Sequence, residues 1–136
     1  MTSLYGHNIC GDAIDVVDGI MLTCSFNEKD QIQLYDIKAG KLIKSADGPT
    51  INWDTQIPSK FPSYLYCGQF NKTDGRYILA GGAYGNEAKL FDFSGKHCAT
   101  ITDLTREVQT CDFSSDDEKF AISGGDGYIR VFTFSK

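Results

Sequence analysis

Two stretches, FNKTDGRYILAGG at 70–82 and FSSDDEKFAISGG at 113–125, follow one pattern. Each opens on an aromatic residue, passes through a polar turn with an acid in its middle, meets a basic residue, and ends in an apolar run and a glycine pair. Phe70 and Phe113 are 43 positions apart, as are Gly82 and Gly125. A unit that recurs at this period is too small to bury its own faces, so it must stack against its neighbours.

A weaker third copy lies upstream. Ile14, Val16 and Val17 precede the Asp18-Gly19 turn, Ile20, Met21 and Leu22 follow it, and QIQLYD at 31–36 closes the unit. That closing segment aligns with EAKLFD at 87–92 and YIRVFT at 128–133. Leu34 and Leu90 are 56 residues apart whereas Leu90 and Val131 are 41 apart, which places one insertion at 44–63. Three units are therefore expected, at approximately 1–43, 64–101 and 102–136.

Apolar runs are short, β-branched or aromatic, and broken by turn residues, with almost no helical periodicity. Within the second unit the expected strands are 66–70, 77–81, 88–93 and 97–101, and within the third 108–113, 120–123 and 128–134. Four strands in about 40 residues correspond to one blade of a β-propeller.

At this point the chain resembles the WD40-repeat family. Tyr35-Asp36 and Phe91-Asp92 stand where that family places its Trp-Asp dipeptide, Gly6-His7 matches the dipeptide that opens a repeat, and Asp126 fits its turn aspartate. The resemblance implies an all-β fold, a partial propeller of three four-stranded antiparallel blades. His7, Tyr35, Asp36, Phe91, Asp92, Asp126 and Phe132 would then be structural residues of the blades. The departures are specific: Tyr35, Phe91 and Phe132 replace the Trp, units two and three have Ser63-Tyr64 and Thr105-Arg106 in place of Gly-His, and Thr133 replaces the closing Asp. Side-chain packing must then supply rigidity that the family's hydrogen-bonded tetrad would provide. Kelch repeats are a weaker match, because their Tyr and Trp after the glycine pair are missing.

Composition restricts function. The chain has 136 residues, 41% of them hydrophobic and 12% aromatic, which suits a folded domain. Thirteen basic residues against eighteen acidic give a net charge of −5, with the basic residues scattered, so nucleic-acid binding is not expected. No apolar run approaches the roughly 20 residues of a membrane-spanning helix, and MTSLYGHNIC at the start does not read as a secretory signal. A cytoplasmic setting is expected, cytoskeletal and ciliary assemblies included. The five cysteines, at 10, 24, 67, 98 and 111, lack paired spacing and are expected to be small buried thiols.

Catalytic chemistry finds little support. His97 and Cys98 are adjacent on an expected strand and point to opposite faces, His7 and Cys10 have no second ligand pair, and neither a GxSxG elbow nor a phosphate-binding glycine motif occurs. No enzyme activity, cofactor or metal is expected; an unrecognised enzymatic or metal site is the alternative from another class. Three blades do not close a ring, so the expected role is a noncatalytic protein–protein interaction scaffold. Further blades, self-association into a homo-oligomer or a partner protein would complete it. The other reading is a structural subunit of a large cytoskeletal, ciliary or other multiprotein assembly. For partner contact the candidates are Trp53, in the proline-bearing insertion, and Tyr84, in the loop 83–87. Each has an ordinary alternative: Trp53 packed on its own blade with 51–53 extending the outer strand, and Tyr84 on a solvated turn. The acidic run 116–118 is expected to be a solvated hairpin tip.

Overall fold

The computed structural model describes residues 1, 3–6, 8–27, 30–43 and 64–135. Eleven strands follow one another along these residues: β1 (Ile14–Val17), β2 (Ile20–Cys24), β3 (Ile32–Asp36), β4 (Lys41–Leu42), β5 (Tyr64–Phe70), β6 (Tyr77–Ala83), β7 (Ala88–Asp92), β8 (His97–Ile101), β9 (Val108–Phe113), β10 (Lys119–Gly124) and β11 (Ile129–Thr133). Every strand pairs antiparallel with its sequence neighbour, giving two four-stranded sheets, β1 to β4 and β5 to β8, and a three-stranded sheet, β9 to β11. The protein is all-β, and no helix occurs among the described residues. The insertion 44–63 lies outside them, and with it Trp53 and the strand extension at 51–53.

Local chemistry explains the hairpins. Asp18 and Gly19 both have positive φ, 50° and 76°. This is the conformation of a two-residue turn whose twist matches the flanking strands, and Val17 pairs with Ile20 across it. Along β1 the side chains alternate: Asp15 accepts the Phe70 N–H of the second sheet at 2.8 Å, so Ile14 and Val16 face the other way.

Sheets one and two enclose a core of Leu22, Cys24, Ile32, Leu65, Phe70, Ile78 and Phe91. Sheets two and three enclose another, of Cys67, Leu79, Leu90, Val108, Phe113, Phe120 and Ile122. Each large side chain so buried stabilises by about 1.5–3 kcal/mol. Close approach depends on glycine at both junctions. A Cβ on Gly68 would strike the Cys24 sulfur, and one on Gly81 would lie 2.6 Å from Val108 Cγ1.

The repeat is not superimposable at constant offset. Phe70 pairs with Ile78, but Phe113 pairs with Phe120, because the loop 114–118 is one residue shorter than the loop 71–76. The first strands of the two sheets thus correspond at 43 residues and the second strands at 42. Gly124, not Gly125, takes the place of Gly82. Both sit against the carbonyl at the start of a β-bulge, Tyr64 for Gly82 and Glu107 for Gly124, where a Cβ would collide.

Candidate interaction surface

The residues at the Trp-Asp positions occupy matching places on the third strands. Tyr35 pairs with Met21, Phe91 with Ile78 and Phe132 with Phe120. Tyr35 is buried, donates its hydroxyl to Gln33 Oε1 at 2.8 Å, and burial raises its pKa. Phe91 is fully buried, with His97 edge-on at 5.8 Å, while Phe132 stacks on Phe120 at 5.2 Å. Asp36 accepts the Ala39 N–H, and Asp92 accepts the N–H and hydroxyl of Ser94 and the N–H of Lys96. These two carboxylates shape the loops that follow their strands. Asp126 accepts the Tyr128 N–H at 3.0 Å and a guanidinium bond from Arg130 at 2.7 Å, both from its own hairpin, and these hold its carboxyl below the usual range. His7 lies outside the described residues.

Asp117 differs from the expectation of a solvated tip. It is 3% exposed, at φ 59°, and its carboxylate crosses from the third sheet to the loop 71–76 of the second. It accepts the Lys72 N–H at 2.6 Å, the Thr73 N–H at 2.9 Å, the Thr73 hydroxyl, and Asn71 Nδ2 at 2.7 Å. Burial by itself would push this carboxyl up, but bonds from the Thr73 hydroxyl, the Lys72 and Thr73 amides and Asn71 outweigh it and hold the pKa far below normal. The neighbours Asp116 and Glu118 are exposed. Composition alone cannot separate the three; the positive φ that only the middle residue adopts does.

At the opposite end of the strands, Tyr84 is 64% exposed with φ 68°. It begins an aromatic row: Tyr84 meets Tyr64 at 4.9 Å, Tyr64 meets Phe26 at 4.8 Å, and Phe26 meets Tyr66 at 5.1 Å. The row spans the edge between the first two sheets. Sequence spacing singled out Tyr84 but not its companions, which come from two other segments, Tyr64 and Tyr66 on β5 and Phe26 after β2.

The outward face of the third sheet carries exposed apolar residues on its last strand. Ile122 packs into the core, and alternation along the paired strands puts Ala121, Ser123, Ile129 and Val131 on the other side. Ile129 is 76% exposed and Val131 61%. They lie on β11, the last strand of its sheet among the described residues. On the first sheet, Ile14 and Val16 are about half exposed. On the same face of that sheet, across β2, residues 3–6 border Tyr35 and Leu42 around a cavity of ≈ 570 Å³.

All five cysteines are free thiols, but only Cys24, Cys67 and Cys111 are buried; Cys10 and Cys98 are exposed, against the expectation of five buried thiols. Burial raises the Cys24 thiol well above its usual value, and a hydrogen bond with Cys67 together with burial does the same for Cys111. Thiols of this kind stay protonated and unreactive near neutral pH. On β8, His97 Nε2 lies 2.7 Å from the Thr100 hydroxyl, and Cys98 bonds to the Lys96 carbonyl. Among the described residues no group of three His, Cys, Asp or Glu side chains is placed to hold a metal ion. No helix among them is long and apolar enough to cross a membrane.

No family model matches the chain, and no curated protein matches it at a significant level.

Proposed function

We propose that the chain is a partial β-propeller of WD40 type, in which each sheet is a blade, and that it serves as a noncatalytic protein–protein interaction scaffold. Three features support the blade reading. The sheets are consecutive meanders, the first strand of the middle sheet, β5, lies beside both β1 and β9, and aromatic residues recur at one position of each third strand. The observation that carries the scaffold role is the outward face of the third sheet, where Ile129 and Val131 stand exposed on an edge strand. Patches of this kind mark surfaces used for association. Further blades, a second copy or a partner protein would cover them.

Light scattering across a concentration series, together with binding of a hydrophobic dye, tests this. The wild-type chain is expected to bind dye or self-associate, and the pair Ile129→Lys and Val131→Lys to weaken both while leaving the circular dichroism spectrum unchanged. A wild-type chain that stays monomeric at high concentration and binds no dye would refute the proposal.

A further inference from the structure

The two junctions between sheets are built to one plan and finished differently. Between the second and third sheets, Phe134 donates its N–H to the Glu118 carbonyl at 2.8 Å. Its ring is 9% exposed and packs edge-on against Tyr77 of the neighbouring sheet at 5.1 Å. Asp117 then fastens the loop 71–76 above it. Between the first and second sheets, Phe93 makes the same backbone bond, to Arg76, at 2.7 Å. Yet Phe93 is 41% exposed.

Three replacements account for the difference. Ile20 stands where Tyr77 stands in the next sheet, since Ile20 pairs with Asp36 and Tyr77 with Asp92. The two-residue turn at Asp18 and Gly19 replaces a six-residue loop. Gly75, at φ 64°, replaces Asp117 and rests directly on Val17. What remains is a groove of ≈ 580 Å³ whose walls include Ile20, Phe70 and Phe93, within the range of ligand-binding clefts, about 300–1,000 Å³. The matching space in the other junction is filled by polypeptide.

Charge specifies the occupant. The missing element is a loop whose N–H groups would face this junction, as Lys72 and Thr73 face Asp117. The rim carries the carboxylates of Asp18, Asp74 and Asp92 against one guanidinium, Arg76. We propose that this groove docks a peptide segment of a partner protein that sets an aromatic or aliphatic side chain on Ile20 and Phe93 and a lysine or arginine among the three carboxylates. The site is separate from the outward faces of the first and third sheets, so its test does not depend on how those are covered.

Amide NMR spectra of the full chain, titrated with end-blocked tetrapeptides, decide the matter. The probes are Gly-Phe-Lys-Gly, its arginine counterpart, and versions with glutamine or glutamate in place of lysine. The basic peptides are expected to shift the amides of Val17, Gly19, Gly75 and Phe93, with the glutamate peptide without effect. The pair Asp18→Asn and Asp74→Asn should weaken binding about fivefold. Asparagine tolerates the left-handed backbone at 18 and keeps an acceptor oxygen at 74. Phe93→Ala, at a partly exposed position, should weaken binding independently and serves if the paired variant fails to fold. Overturning results are equal binding of the glutamate peptide, shifts confined to residues outside the groove, or no shift by about 10 mM peptide.

Discussion

Replacing Asp117 by alanine should separate the second and third sheets more than any other single change on the surface hairpins. The carboxylate is 3% exposed and takes four donors from the neighbouring sheet. Bonds to a charged group are worth about 1.5–3 kcal/mol each when broken singly, but they do not add. Lys72 and Thr73 are exposed residues whose amides water can reach, whereas Asn71 is fully buried and loses one of its two Nδ2 acceptors. The expected cost is therefore about 2–4 kcal/mol, or roughly 10 °C in melting temperature for a chain of this size. The nearby Lys72–Asp112 ion pair, at 2.8 Å but largely exposed, contributes at most about 1 kcal/mol and cannot substitute. Urea unfolding followed by circular dichroism measures the loss, with Asp116→Ala as the exposed control, expected to cost less. Asp117→Asn separates charge from geometry, because asparagine accepts the same positive φ but turns an amide toward donors.

The sign of the pH dependence follows from the depressed pKa. An aspartate whose carboxyl is held low in the folded state contributes its full stabilisation above the unfolded value, about 3.9. That contribution falls away as pH drops below this value toward the folded pKa. The wild type should lose stability between about pH 4 and pH 2 more steeply than Asp117→Ala does. Equal acid slopes, or a stability loss for Asp117→Ala no larger than for Asp116→Ala, would refute the assignment of Asp117 as an inter-sheet clasp.

Three other outcomes are expected. Gly81→Ala places a methyl 2.6 Å from Val108 Cγ1 and should cost about 1–3 kcal/mol by overpacking; Val108→Ala in the same chain should recover part of this, and a strictly additive double-mutant cycle would count against the contact. Alkylation of the native protein should modify Cys10 and Cys98 quickly and Cys24, Cys67 and Cys111 only on unfolding, as mass spectrometry of the labelled peptides would show. If association runs through the third sheet, Val131→Lys should weaken it while Val16→Lys leaves it intact, a contrast that sedimentation of the two variants reads directly.

The sheets were legible because their signal is local. Alternating β-branched runs and Asp-Gly or Gly-Asp-Gly turns determine strands and hairpins without knowledge of the neighbours. The repeat at 70–82 and 113–125 likewise pointed to equivalent hairpins, although its constant offset concealed a one-residue shift, since deleting one loop residue is compensated by one more residue before Gly125. What could not be read was which side chain crosses between sheets. Asp116, Asp117 and Glu118 have the same composition signal, and only backbone conformation aims the middle one at residues 71–73. The aromatic row was half legible for a similar reason: Tyr84 stood out in its long hairpin, whereas Phe26, Tyr64 and Tyr66 come together only when the sheets stack.

The outward faces themselves argue about what covers them. On the first sheet the exposed apolar residues, Ile14 and Val16, lie on the first strand, and residues 3–6 border Tyr35 on the third. On the third sheet the order is reversed: Ile129 and Val131 are on the third strand, and the first strand turns Thr110 and Asp112 outward. Stacking one copy on another in the manner of the internal junctions would set Ile14 and Val16 against Thr110 and Asp112, leaving β11 opposite the segment 3–6. Contacts between unlike faces must match along their whole length to propagate or close a ring, and these do not. Within the proposed scaffold, the two faces therefore call for two different covers, and a ring made only of repeated copies of the described sheets is the arrangement their chemistry disfavours most.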